Sequence, residues 1–80
     1  MKDYKRGKII RLNDESEYLI CDNVLMKNEE YFLLLNISGK LVNGYTEILM
    51  MKYDYPKSRF ELVKDSNEVK DILTRMVDNS

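Results

Sequence analysis

The sequence contains no histidine, no tryptophan and only one cysteine. Because metal sites and nucleophilic triads in proteins rely on imidazole and thiolate groups, these absences exclude most of them. Cys21 has no second cysteine with which to form an intramolecular disulfide, and no imidazole base to activate its thiol. We therefore interpret Cys21 as a small apolar strand residue. We expect no catalytic residue, no cofactor and no metal ion, and hence a protein that is not an enzyme.

Long hydrophobic runs are absent as well. The longest ones cover residues 31–35 and 48–51, five and four residues, whereas a membrane-spanning helix needs about 20. The N-terminus is basic, but only Ile9 and Ile10 follow before Arg11, which is too little for the apolar region of a signal peptide. The sequence therefore predicts a cytoplasmic protein.

Neither sign of charge dominates the chain. Lys and Arg number 13 against 14 Asp and Glu, the formal net charge is −1, and 44% of the residues are apolar. This composition is typical of a folded globular domain and does not by itself indicate a nucleic-acid or membrane partner. A chain of 80 residues has room for one domain. We expect a basic arm at residues 1–7, a β-sheet at 8–63 and a C-terminal helix at 66–78.

Short stretches of aromatic and β-branched residues, separated by polar turns, predict about five strands. The predicted strands cover residues 8–12, 17–26, 31–37, 45–53 and 59–63. Asp22 and Asn23 interrupt the second stretch, and because both favour local backbone hydrogen bonds we expect a bulge or bend there. We also expect a four-residue turn at 27–30 and a loop through Gly39 and Gly44.

The C-terminal segment has the periodicity of an amphipathic helix. Its apolar residues recur at intervals of three and four, which places them on one helical face. They are Val69, Ile72, Leu73, Met76 and Val77. Asp65 is suited to cap the helix, and it puts negative charge at the positive end of the helix dipole. A helix of this length is marginal in isolation, so we expect its apolar face to pack on the sheet.

Together these elements predict the α+β class: a small, mostly antiparallel and strongly curved sheet of about five strands, with one C-terminal helix packed on one face. The central strands are apolar on both faces, and one helix can cover only one of them. The sequence leaves three arrangements open for the second face. In the first it is half covered by tyrosine rings and lysine stems, and in the second the sheet closes into a small SH3-like barrel. In the third the face binds a protein partner or a second copy of the chain.

The third alternative leads to candidate binding residues. We assign Tyr31, Leu33 and Leu35 to the face that the helix covers, so that Phe32 and Leu34 lie on the opposite, open face. Ile48 and Met50 are expected beside them on the next strand. The sequence therefore predicts a protein-binding surface of four residues: Phe32, Leu34, Ile48 and Met50. An error of one residue in the register would exchange the two faces.

A basic N-terminal segment offers a different function. Residues 1–12 carry a net charge of +4, from five cations and Asp3. Four of these cations could contact phosphates in a nucleic-acid-binding accessory protein. They are Lys5, Arg6, Lys8 and Arg11. The rest of the chain must then carry −5 to reach the total of −1, and no second basic stripe accompanies the segment, so nucleic acid is the less favoured partner.

The order of these signals resembles that of a known family. The signals are Ile10 and Leu12, an acidic turn, Tyr18 and Ile20, Asp22, Val24, a polar turn, Tyr31, Leu33 and Leu35, and then Glu61 to Asp65 leading into the helix. In this order the chain resembles, over about residues 9–77, the small uncharacterised YrzB-like proteins of low-GC Gram-positive bacteria. The resemblance implies a sheet followed by a C-terminal helix and no catalytic residues. The small size and the Lys, Asn and Tyr content are also typical of phage or mobile-element proteins that inhibit host defence enzymes.

Overall fold

A computed structural model describes residues 4–12 and 15–78 of the chain. Within these ranges there are seven strands and one helix. They are β1 (Ile9–Arg11), β2 (Glu17–Met26), β3 (Glu29–Asn36), β4 (Leu41–Val42), β5 (Tyr45–Thr46), β6 (Ile48–Asp54), β7 (Arg59–Leu62) and α1 (Ser66–Asp78). No helix in the described ranges is long and apolar enough to cross a membrane.

Five of the strands form one antiparallel sheet in the order β1-β2-β3-β6-β7. The sheet is a meander that curls into a half-barrel, and α1 packs on its outer face. This arrangement confirms the predicted α+β class. We call the face that carries α1 the outer face and the opposite face, around which the sheet curls, the inner face.

Two short turns differ from the sequence expectation. A four-residue turn is predicted at 27–30, but the turn in the structure consists of Lys27 and Asn28 alone. These two residues have positive φ angles of 54° and 63° and join β2 directly to β3. Two residues with positive φ form the tight hairpin turn whose twist matches that of the flanking strands. Glu29 and Glu30 therefore belong to β3 and pair with Met26 and Leu25.

The loop predicted through Gly39 and Gly44 is in part a second hairpin. Asn43 and Gly44, with φ angles of 53° and 83°, form a tight turn between β4 and β5. This two-stranded hairpin, residues 41–46, is separate from the main sheet, and we call it the tip hairpin. The predicted strand at 45–53 is consequently divided at Glu47 into β5 and β6.

The bulge in β2 falls one residue before the expected place. The register between β2 and β3 shifts between Ile20 and Asp22, so Cys21 is the extra residue. The side chain of Asp22 accepts a hydrogen bond from the backbone N–H of Asn23 at 2.8 Å. A bulge bends a strand and increases its twist, which helps this long strand to follow the curl of the sheet.

The helix begins as the sequence predicts. Asp65 Oδ1 accepts a hydrogen bond from the backbone N–H of Asn67 at 2.9 Å, as an N-cap residue does. Three residues after Asp65, Glu68 Oε2 accepts a hydrogen bond from the Tyr31 hydroxyl at 3.0 Å. This bond ties the first turn of α1 to the middle of the sheet.

Two apolar cores lie on the two faces of the sheet. The outer core, between α1 and the sheet, contains Val24, Tyr31, Met50, Val63, Ile72 and Met76. The inner core, inside the curl, contains Tyr18, Ile20, Phe32, Leu34 and Tyr53. Partly buried side chains complete the inner core, among them Tyr4 from the N-terminal segment and Phe60 from β7. The curled sheet thus buries the centre of its own second face.

Candidate functional site

The four residues predicted to bind a partner do not share a surface. Phe32 and Leu34 have no exposed area, and Met50 is 6% exposed, whereas Ile48 is 60% exposed. The expectation that Phe32 and Leu34 lie on an open face is therefore wrong. The sequence pattern correctly separates Phe32 and Leu34 from Tyr31 and Leu33, but the face of Phe32 is the inside of the half-barrel.

The expected neighbours of Phe32 and Leu34 are also wrong. Leu33 is paired with Met50 and Leu35 with Ile48, whereas Phe32 is paired with Met51. Paired residues in an antiparallel sheet point to the same face. Ile48 and Met50 therefore belong to the outer face, one residue away from the register that the sequence suggested.

Aromatic packing explains why Phe32, at the centre of the inner face, is buried. The ring of Tyr4 lies edge-on to Phe32 at a centroid distance of 6.0 Å and also contacts Phe60 at 5.1 Å. Phe60 in turn contacts Phe32 at 5.4 Å. The segment before β1 thus supplies the ring of Tyr4 to the inner core. The curl of the sheet brings the ring of Phe60, on the edge strand β7, into contact with the ring of Phe32 on the central strand β3.

The outer face is only partly covered. At the end that α1 covers, Ile72 and Met76 pack against Val24, and the last turns of the helix line a shallow groove with residues 25–27. The other end of this face carries a continuous row of apolar side chains across four strands. The row runs Ile9, Leu19, Leu35, Ile48, each paired with the next. We call it the uncovered row.

The two residues at the ends of the uncovered row are the most exposed of the four. Ile9 is 57% and Ile48 60% exposed, while Leu19 and Leu35 between them are partly exposed. None of the four belongs to the residues packed around the outer core. Ile37, two residues beyond Leu35, is exposed as well. Exposed apolar residues that adjoin one another can form an interaction surface, whereas single ones are normal on any protein.

The tip hairpin extends the apolar surface beyond the same end of the sheet. Its exposed apolar residues are Leu41, Val42 and Tyr45, and Tyr45 is 76% exposed. The hairpin is inserted between Asn36, the last residue of β3, and Ile48, the first residue of β6. It therefore adjoins the end of the uncovered row that Ile48 forms.

A polar network at Glu47 holds the base of the tip hairpin. Glu47 Oε1 accepts hydrogen bonds from the Tyr18 hydroxyl at 2.5 Å and from Asn36 Nδ2 at 3.1 Å. Glu47 Oε2 lies 3.1 Å from Lys40 Nζ. The hydrogen bond from Tyr18, with those from Asn36 and Lys40, lowers the pKa of Glu47 against the opposing effect of partial burial. The carboxylate is therefore charged at neutral pH and fixes the hairpin relative to the sheet.

A groove opens on the inner face where the half-barrel stays unclosed. It has a volume of about 450 Å³ and is lined from the β1 side by Arg11 and Leu12 and from the β7 side by Arg59 and Phe60. We call this groove the seam. Its floor is apolar and includes Leu49, Met51 and Tyr53. The cations that line the seam are Arg11, Lys40 and Arg59, and the carboxylate is Glu47.

The basic residues of the N-terminal segment are placed along the sheet edge. Gly7 donates a backbone hydrogen bond to Ile20 at 2.8 Å, so the described part of the predicted arm lies against β2. Arg6 approaches Asp22 at 4.0 Å, and Arg11 approaches Glu17 at 3.7 Å. Lys5 and Lys8 are exposed. Residues 1–3 of the arm lie outside the described residues.

Comparisons of this chain with protein-family models, with curated proteins and with solved structures found no match. The resemblance to YrzB-like proteins remains a prediction from the sequence, and no residue role is transferred from it. Among residues 4–12 and 15–78, no group of three or more acidic, cysteine or histidine side chains is placed to hold a metal ion.

Sequence reasoning missed both the uncovered row and the tip hairpin. The hairpin had a clear signal, because Asn-Gly between apolar residues is among the strongest indications of a two-residue turn. The row had none that a single strand could reveal. Its four residues come from four strands, and only the pairing register brings them into line.

Proposed function

We propose that this chain is a non-enzymatic, cytoplasmic interaction module that binds a protein partner through the uncovered row and the tip hairpin. The uncovered row supports this proposal most directly. A monomeric domain of this size gains stability by burying apolar area, yet Ile9 and Ile48 lie exposed in line with two further leucines.

The polar contacts at the base of the tip hairpin add support. Glu47, Asn36 and Lys40 fix the base of the tip hairpin, so Tyr45 is presented on an anchored element. A preordered surface loses less conformational entropy when it binds. Aromatic residues such as Tyr45 contribute strongly at protein interfaces. A phage-encoded inhibitor of a host defence enzyme would bind that enzyme through such a preordered surface, and we propose this as a more specific role for the chain.

Capture of a partner from the cells that express the protein tests the proposal. Tagged wild-type protein is compared with Ile48→Lys and with the matched control Leu25→Lys. Leu25 is 70% exposed but lies at the far end of the molecule, beside the last turns of α1. Both variants add the same charge at an exposed strand position.

We expect mass spectrometry to find one or more proteins retained by the wild type and by Leu25→Lys but lost with Ile48→Lys. Sedimentation of the purified proteins examines whether a second copy of the chain is the partner. In that case the wild type and Leu25→Lys dimerise reversibly at micromolar concentrations and Ile48→Lys stays monomeric. Equal retention by all three proteins, or no partner and no dimer, would contradict the proposal.

A further inference from the structure

The seam lies between two strands that each have a neighbour in the main sheet on one side only. β1 pairs with β2, β7 pairs with β6, and the two are the ends of the strand order. The outward backbone groups of an edge strand can form a ladder with an added strand. An extended segment of another protein could therefore lie in the seam and pair with one of these edges.

The side chains along the seam specify what such a segment should contain. Leu49, Met51 and Phe60 present apolar surface on the inner face. Arg11 and Arg59 line the seam from opposite edges. Arg59, which is paired with Asp54, comes one position before Phe60. Because the side chain of Phe60 points to the inner face, Arg59 is in register with the outer face. Arg11 comes one position after Ile10, whose side chain points to the inner face, so Arg11 is also in register with the outer face.

Among the described residues, three cations line the seam, Arg11, Lys40 and Arg59, and one carboxylate, Glu47. The carboxylate of Glu47 is already engaged by Tyr18, Asn36 and Lys40. Arg11 lies 3.7 Å from Glu17, and Arg59 lies 3.9 Å from Glu61, both beyond hydrogen-bond distance. Arg59 also lies opposite Asp54 on the neighbouring strand and contributes, after the backbone of Lys57, to the lowered pKa of that carboxyl. Exposed pairs of this kind are weak, so both guanidinium groups can turn to a carboxylate of a ligand with little loss.

We propose that the seam binds an extended peptide segment in which acidic and apolar residues alternate. In an added strand, successive side chains point to opposite faces. The apolar residues of the segment contact the floor at Leu49 and Met51, and its acidic residues lie beside Arg11 and Arg59. The apolar floor of this site is on the opposite face of the sheet from the uncovered row, and Ile48 does not line it, so a substitution at Ile48 separates the two surfaces.

Selection from a display library of random twelve-residue peptides tests the proposal without knowledge of the natural partner. The folded wild-type protein is the bait, and the affinities of the selected peptides are then measured for Arg11→Glu, Arg59→Glu and the control Arg75→Glu. Arg75 is exposed on α1, where it lines the groove beside residues 25–27. Thermal melts verify that each variant is folded, and Arg→Gln replaces any reversal that is not.

We expect selected peptides in which Asp or Glu alternates with apolar residues. Their affinity should fall at least about tenfold with Arg11→Glu or Arg59→Glu, the loss of one charge-assisted hydrogen bond, and stay unchanged with Arg75→Glu. Ile48→Lys should bind them like the wild type, which separates this test from that of the uncovered row.

Three results would overturn the proposal: no enriched peptide, enriched peptides without acidic residues, or binding that both reversals leave intact. Oligodeoxythymidine is tested in parallel. If it binds in place of the selected peptides, with the same dependence on Arg11 and Arg59, the seam is a nucleic-acid site and not a peptide site.

Discussion

At the scale of single residues, Glu47 is the centre of a polar network. It lies between β5 and β6, where it receives hydrogen bonds from Tyr18 and Asn36 and pairs with Lys40. These partners come from three different places in the chain. One carboxylate thus connects the second strand, the end of the third strand and the base of the tip hairpin.

This arrangement makes stability depend on pH. The pKa of Glu47 is lowered from its ordinary value of 4.5, chiefly by the hydrogen bond from Tyr18. A carboxyl group whose pKa is lower in the folded state stabilises the fold above its unfolded pKa, and this contribution is lost as the pH falls through the folded value. We expect Glu47→Gln to lower the free energy of unfolding by about 1 kcal/mol at neutral pH and to show a smaller loss in acid.

Urea denaturation of the wild type and Glu47→Gln between about pH 7 and pH 3 measures this effect. Glu15→Gln serves as the control because Glu15 is an exposed carboxylate near the β1–β2 turn. Parallel pH curves for the wild type and Glu47→Gln would show that the Glu47 network does not stabilise the charged form.

At the scale of elements, the helix and the turns show which parts of the fold the sequence could predict. The bounds of α1 and its cap at Asp65 followed from local periodicity and capping chemistry, and the structure confirms both. The second strand and its irregularity were also local signals. These predictions succeeded because the information lies within one or two turns of a single segment.

The register between strands is not local information. The pattern of β3 separated its two faces correctly, but it did not show which residues of β6 lie opposite them. The division at Glu47 and the tight turn at Asn43 and Gly44 set that register. A shift of one residue exchanges the faces of a strand, and this is why the sequence pattern alone places Ile48 and Met50 on the wrong face.

The helix also permits a direct test of packing. Ile72 and Leu73 are adjacent in α1, but Ile72 is fully buried in the outer core and Leu73 is 40% exposed. We expect Ile72→Ala to lower the free energy of unfolding by about 3 kcal/mol, since it leaves a cavity between helix and sheet. Leu73→Ala should cost about 1 kcal/mol, because it removes side-chain atoms that are already partly in water.

Chemical denaturation of the two variants gives both values under the same conditions. Both variants introduce alanine at adjacent positions of the same helix, and the helix propensities of Ile and Leu differ by less than about 0.5 kcal/mol, so the difference in burial dominates. Equal losses would mean that α1 does not dock on the sheet through the face that contains Ile72.

At the scale of the whole molecule, the curl of the sheet decides which apolar residues are available for binding. Closure around Phe32 and Leu34 uses the inner face for stability, and Tyr4 and Phe60 complete it. The outer face is covered by α1 at one end only, which leaves the uncovered row. The sequence indicated surplus apolar surface, but the three-dimensional curl determines where that surplus lies.

Stability and binding should therefore depend on different residues. Phe32 lies fully buried in the inner core, and Ile48 lies exposed in the uncovered row. Phe32→Ala should lower the free energy of unfolding by about 3–5 kcal/mol, most of the stability of a small domain. Ile48→Lys should change it by only about 0.5 kcal/mol, as surface substitutions usually do.

The most direct test of this separation is the free energy of unfolding of Ile48→Lys, measured by urea denaturation beside the wild type and Phe32→Ala. Partner retention is measured on the same protein preparations. We predict a variant as stable as the wild type that no longer retains the partner or forms the dimer. A variant that loses as much stability as Phe32→Ala, or that binds as the wild type does, would contradict the assignment of the uncovered row to binding.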